Sequence, residues 1–232
     1  MEWVKVTHDG RTVQCYVAYP EVKTKATAVL VIHEIFGLTD WVRGVTDQLA
    51  EAGYIAIAPD LLSGTAPGGG GTAELGSGDA VRKAISGLPA EQVTADLKAA
   101  LSYVAVLPAA NGKVAVAGFC WGGTQTFRFA TEDARVAAAF AFYGTGPDRA
   151  EAIARIRAPV FGFYGGNDAR VNATIAGSTA LMNEARKRYE PVVYEGAGHG
   201  FMRAGEAPDA SEANRKGRDE AWKRLRQLLG GL

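Results

Sequence analysis

The chain has 232 residues, 47% of them hydrophobic and 22% charged, which is ample for a buried α/β core. Its 25 basic and 25 acidic residues cancel, so no electrostatic footprint points to nucleic acid or an anionic membrane surface. The two cysteines, Cys15 and Cys120, make no disulfide framework and no zinc-ligand spacing, and no apolar run approaches the roughly 20 residues of a membrane helix.

In chain order, residues 2–8 and 12–19 alternate like strands around Asp9-Gly10, a hairpin turn signal. Residues 27–33 form a nearly continuous apolar run, the pattern of a strand buried on both faces. A helix is expected over 41–52, stopped by Gly53, then a short strand over 54–58. Residues 59–89 are irregular, with Gly68-Gly69-Gly70-Gly71 in the first half and a short helix over 79–86, which reads as a lid or a disordered stretch. A helix over 90–107 is followed by strands at 113–117, 136–142, 159–164 and 191–195, alternating with helices at 122–131, 148–156, 173–189 and 212–229. This alternation predicts one domain over 1–232: a mostly parallel sheet with helices on both faces and antiparallel edge strands from the leading hairpin.

The strongest local signal is Gly118-Phe119-Cys120-Trp121-Gly122, set between a strand and a helix. It is a nucleophile elbow with Cys in place of the more usual Ser. The tight turn leaves no room for bulky residues at 118 and 122. It sets the sulfur near a helix N-terminus, which favours thiolate. Cys15, inside a strand pattern, reads as a small core hydrophobe.

A nucleophile needs a base, and there are three histidines. His8 lies in the leading hairpin and His33 ends a buried strand. His199 sits in Gly198-His199-Gly200, after a strand, on the edge of the sheet where Cys120 also belongs. The orienting acid should fall between them in the chain, and Asp168 follows the strand at 159–164. Asp133 and Asp148 read as helix caps. The backbone N–H groups of Trp121 and Ile35 are the candidate oxyanion donors.

With these residues assembled, the chain resembles the dienelactone hydrolase family, which has the α/β-hydrolase fold. The likeness rests on His33-Glu34-Ile35-Phe36-Gly37, Ala58-Pro59-Asp60-Leu61, the Cys120 elbow, Phe142-Tyr143-Gly144, Asp168 and His199-Gly200-Phe201-Met202-Arg203. It implies that Glu34 takes the thiol proton as substrate arrives, and that Arg203 holds a substrate carboxylate. A second family arginine falls in the region of 61–90, where this sequence departs and Arg82 is the substitute. Phe36, Trp121, Tyr143 and Phe201 suggest an aromatic-lined pocket that also suits aryl esters.

The expected activity is therefore cleavage of a small ester or lactone through an acyl-thioenzyme, with no metal and no organic cofactor. Gly68–Gly71 lacks the Lys-Ser/Thr ending of a phosphate loop, and His33-Glu34 has no second His at zinc-protease spacing. Two further readings are attack on activated phosphotriesters and a hydrolase fold that binds ligand without turnover. The chain is expected to be cytoplasmic, with no export signal, and a monomer or weak homodimer.

Overall fold

A computed structural model describes every residue from Met1 to Leu232. The chain divides into two compact units, Met1–Val116 and Ala117–Leu232. The first opens with β1 (Glu2–His8) and β2 (Arg11–Ala18), an antiparallel hairpin. Asp9 and Gly10 turn it with φ of 46° and 76°, the left-handed pair that a tight hairpin turn demands. Next come β3 (Ala26–Ile32), α1 (Asp40–Glu51) and β4 (Ile55–Pro59). β3 and β4 are buried at every position and pair in parallel. β4 also pairs with β2, so the hairpin supplies one edge strand rather than two. The reason is in β2 itself, since Cys15, Tyr16, Val17 and Ala18 are all buried, the run of an interior strand. α1 buries Val42, Val45, Thr46, Leu49 and Ala50, one stripe at helical spacing.

The Gly-rich segment is not loose. It makes two short 3₁₀ turns, Pro67–Gly69 and Ala73–Leu75, then enters α2 (Gly78–Ser86), which is capped by Ser77. Its hub is the buried carboxylate of Asp60. Asp60 accepts from Leu62 N at 3.0 Å, from Thr72 N at 2.8 Å and from Thr72 Oγ1 at 2.7 Å. Thr72 Oγ1 in turn accepts from Leu38 N at 3.1 Å. The segment is thereby fastened to the stretch that follows β3. After it, α3 (Ala90–Ala105) buries Val93, Leu97, Ala100, Leu101 and Val104 together with Asp96. Asp96 accepts a forked pair of bonds from Arg11, with Nε at 2.9 Å and Nη2 at 3.1 Å, and meets His8 Nε2 at 2.7 Å. A buried charge survives only with such partners. His8 thus has a structural partner.

β5 (Ala110–Phe119) carries the chain into the second unit. That unit continues with α4 (Trp121–Glu132), β6 (Val136–Phe142), α5 (Ala150–Ala154), β7 (Val160–Gly165), α6 (Ala169–Asn172), α7 (Ile175–Glu184), β8 (Tyr189–Tyr194), α8 (Phe201–Ala204) and α9 (Glu212–Leu229). β6, β7 and β8 pair in parallel. Phe119, Phe142 and Phe163 stack in succession, with centroids 4.7 and 4.1 Å apart, and Tyr194 follows at 6.4 Å. α9 buries Gly217, Ala221, Leu225 and Leu229 at a spacing of four. Its Arg224 lies over the Phe163 ring at 4.5 Å and donates to Gly162 O and Glu190 O, each at 2.9 Å.

The long helix expected over 173–189 is instead the shorter α7, Ile175–Glu184, with a separate short helix, α6, just before that range. Arg186 takes φ 54°, Lys187 N donates to Met182 O at 2.8 Å, and Arg186 N donates to Asn183 O at 2.9 Å. This closure usually falls to glycine, so residue type gave no stop signal. Asp133 closes α4 and pairs with Arg135 Nε at 2.9 Å. Hydrogen bonding orders the strands β1-β2-β4-β3-β5-β6-β7-β8. No helix is long and apolar enough to cross a membrane.

Thr72→Val removes one bond to Asp60 and leaves Leu38 N without its acceptor, at a cost of about 1–3 kcal/mol. Thermal unfolding should move down by several degrees and backbone hydrogen exchange across 61–77 should accelerate. Thr72→Ser should behave as wild type.

Candidate active site

Cys120 stands between β5 and α4 with φ 56° and ψ −117°. A non-glycine residue here stores of order 1–3 kcal/mol of strain. Its backbone holds it there: Cys120 N donates to Phe142 O at 3.0 Å and Thr124 N donates to Cys120 O at 3.2 Å. A side chain at Gly118 would stand 2.2 Å from Gly122 O, and one at Gly144 would stand 2.2 Å from Gly123 C. The elbow is therefore a place where bare backbones meet. Thr145 N closes it by donating to Thr124 Oγ1 at 2.9 Å.

His199 Nε2 lies 3.1 Å from Cys120 Sγ, and His199 Nδ1 lies 2.5 Å from Asp168 Oδ2. Asp168 is 6% exposed and also accepts from Val171 N at 3.4 Å, at the start of α6. The loops after β7 and β8 are stitched together. Asn167 N donates to Ala197 O at 2.9 Å, Gly166 N to Tyr194 O at 2.8 Å, and Asn167 Nδ2 to Gly196 O at 3.0 Å. Acid and histidine loops are therefore directly bonded to each other. The His199 pKa is pushed up from 6.5 to about 9, first by its hydrogen bond to Cys120 and then by Asp168, against the downward pull of burial. Both contacts favour the protonated form of the imidazole.

The aromatic candidates separate. Tyr143 and Phe201 are each 0% exposed. Tyr143 meets His199 edge-on at 5.2 Å and Phe201 at 5.4 Å. Both rings are enclosed, so they support the imidazole and offer no open face to a substrate. Tyr143 also has φ 39°, a second strained residue directly behind the elbow. Trp121 and Phe36 are half-buried. Arg203 is exposed on α8. Arg82 is half-exposed on α2 and ion-paired with Asp79 one turn earlier. In the first unit, Glu34 is 2% exposed and His33 fully buried. His33 Nδ1 lies 2.8 Å from Glu34 O, and burial pushes the His33 pKa down, against the upward pull of Asp60. Cys15 is fully buried, and its thiol is pushed up to about 12, chiefly by that burial. No group of three or more His, Cys, Asp or Glu is gathered as a metal site.

The family model of the dienelactone hydrolase family matches residues 13–232. The chain belongs to the dienelactone hydrolase family. A Methylorubrum extorquens protein named "Putative carboxymethylenebutenolidase" is 32% identical, over 96% of this chain and 78% of its own length. A Salmonella typhimurium protein of the same name is 31% identical, over 95% and 83%. Among solved structures, a dienelactone hydrolase by title from Klebsiella pneumoniae superposes with TM-score 0.85 at 27% identity, covering 100% of this chain and 98% of that one. A dienelactone hydrolase-like promiscuous phosphotriesterase from metagenomic libraries gives TM-score 0.85 at 23% identity, covering 100% and 97%. The fold is that of the α/β-hydrolases.

Within the dienelactone hydrolase framework, the sequence left unseen the short helix α8 and the packing role of Tyr143 and Phe201. The segment Phe142-Tyr143-Gly144 was the available signal: a tyrosine before a glycine, directly after the interior strand that ends at Phe142.

A group whose pKa is raised on folding stabilises the folded state fully below its ordinary value. The contribution from His199 should therefore be complete below pH 6.5 and disappear as pH rises through about 9. Because 35% of the side chain is exposed, solvent screening keeps the effect modest. Urea unfolding of wild type against His199→Gln between pH 6 and 10 should show an advantage that shrinks across that window.

Proposed function

We propose that this chain is a cysteine-dependent hydrolase of small carboxylic esters or lactones, with Cys120 as nucleophile, His199 as acid and base, and Asp168 as the residue that orients the imidazole. One observation carries the reading: the unbroken sequence of contacts from Cys120 Sγ to His199 Nε2 at 3.1 Å and from His199 Nδ1 to Asp168 at 2.5 Å. A thiol next to an imidazole that is held by a buried carboxylate is activated for nucleophilic attack.

The steps follow from that geometry. Thiolate Sγ bonds to the substrate carbonyl carbon, and the carbonyl π electrons move onto oxygen. The N–H groups of Trp121 and Ile35 are assigned to that oxyanion. The carbon–oxygen bond to the leaving alkoxide breaks, and the alkoxide takes the proton from His199 Nε2. Neutral His199 then draws a proton from water as the water oxygen attacks the thioester. The carbon–sulfur bond breaks, the acid product leaves, and thiolate and imidazolium are restored. By family resemblance Glu34 is assigned to accept the thiol proton as substrate arrives, and that proton passes on to His199 before the leaving group departs, so that one proton serves the cycle. Arg203 is assigned to hold a carboxylate on the substrate. A reduced thiol nucleophile suits a reducing compartment, the cytoplasm.

Cys120→Ala should abolish turnover of a chromogenic aryl ester, and mass spectrometry should find an acyl group on Cys120 of wild type after rapid quench. Asp168→Asn should lower kcat by about 10³–10⁴-fold, the cost of losing the useful tautomer in comparable triads. Wild-type rates in Cys120→Ala would end the proposal.

A second reading is favoured by the metagenomic neighbour titled as a promiscuous phosphotriesterase. A thiolate beside an oxyanion hole can also attack an activated phosphotriester. In a panel of dienelactone, aryl carboxylate and aryl phosphotriester, the carboxylic substrates should give the larger kcat/KM, and all three activities should vanish together in Cys120→Ala.

A further inference from the structure

The loop that carries His199 runs Gly196-Ala197-Gly198-His199-Gly200. Gly196 and Gly200 adopt φ of 70° and 74°. Glycines on both sides give a backbone its greatest freedom, and a catalytic imidazole needs the opposite. The bonds from Asn167 fix the loop only as far as Ala197. The residue directly before the histidine is held from elsewhere: Gly198 N donates to Asn214 Oδ1 at 2.8 Å.

Asn214 stands in the first turn of α9. Ser211 is the N-cap, and its Oγ accepts from Asn214 N at 3.2 Å. Asn214 is therefore the third residue of the helix. At that position a longer Glu or Gln commonly reaches back to the cap backbone. Here the side-chain oxygen faces away from the cap and meets the catalytic loop. The same helix turn approaches the loop at two further points. A side chain at Gly196 would stand 3.1 Å from Ala213 Cβ, and one at Gly217 would stand 3.0 Å from Ala197 Cβ. Small residues on α9 let the loop lie close, and Asn214 supplies the side-chain bond on the residue before His199, while Gly200 O on the other side accepts from Arg203 N and Ala204 N of α8.

We propose that Asn214 is a positioning residue for the reaction, holding Gly198 so that His199 faces Cys120 and Asp168 together. This rests on the hydrolase reading above. The role asks only for an acceptor oxygen at this reach from the helix.

The test combines three variants and two readouts. Asn214→Ala should lower kcat by about tenfold or more with little change in KM, since displacement of about 1 Å at a reacting group costs up to 10²-fold. Asn214→Asp retains the acceptor oxygen and should restore most of the rate. Asn214→Ser is too short to reach Gly198 and should resemble the alanine variant; it serves if Asn214→Ala does not fold. The second readout is the pH profile of Cys120 alkylation by iodoacetamide. Wild type should react at neutral pH through its imidazolium-paired thiolate, with Cys15 unlabelled in its buried site, and Asn214→Ala should require more alkaline pH. A slow variant whose alkylation profile matches wild type, or equal losses in the Ala and Asp variants, overturns the inference. So does an Asn214→Ala enzyme with wild-type kcat. Cys120→Ala run alongside separates the two claims: if it keeps ester turnover the hydrolase reading falls, while the alkylation profile still judges Asn214.

Discussion

The left-handed backbone of Cys120 is the constraint on which the second unit is organised. At φ 56° the chain turns from β5 into α4 within one residue, and the sulfur is pushed outward. Such a turn is costly for any residue with a side chain. It persists because its surroundings leave no alternative: Phe142 O accepts from Cys120 N, and the meeting of Gly123 with Gly144 excludes even a methyl group. The stacked rings of Phe119, Phe142 and Phe163 fix the strands on which the turn is mounted. Strain at the nucleophile is thus offset by ordinary core packing beneath it.

The imidazole is fixed by a different means. Its loop is rich in glycine and holds no strained non-glycine residue. Order comes from contacts on several sides: Asp168 through Nδ1, the edge of Tyr143, the bonds from Asn167, and Asn214. A rigid nucleophile thus faces a base that is flexible by composition and held by its neighbours. The division has a chemical logic. In the reaction proposed above, the sulfur stands at one point while the imidazole passes a proton among sulfur, leaving group and water, and small adjustments of its ring would serve each transfer.

Much of this was legible in the residues. The elbow and the candidate base and acid each follow a strand, and a parallel sheet gathers such loops at one end; chain order together with a place after a strand selected Asp168. The apolar runs of β3 and β6 and the stripe of α9 reproduce closely the expected ranges. What the sequence concealed has a common cause. β2 is an interior strand because of what lies beside it, α7 stops on an arginine instead of a glycine, and Thr72 acts through a hydroxyl that any loop residue might carry. Each depends on a partner distant in the chain, and local pattern contains no record of that partner. Tyr143 and Phe201 were legible as aromatic residues near the site, but whether a ring faces substrate or backs a histidine is decided by packing.

The placement of Asn214 on α9 bears on how the protein matures. The proposed nucleophile, acid and base are all synthesised by residue 199, yet the helix that bonds to the histidine loop begins at residue 212. Domains assemble as the chain is made, earlier segments first. During translation there is an interval in which every reacting group exists and the imidazole has no support on one side. On the reading proposed above, linking the histidine's support to a later helix would delay full reactivity until that helix has docked on the loop.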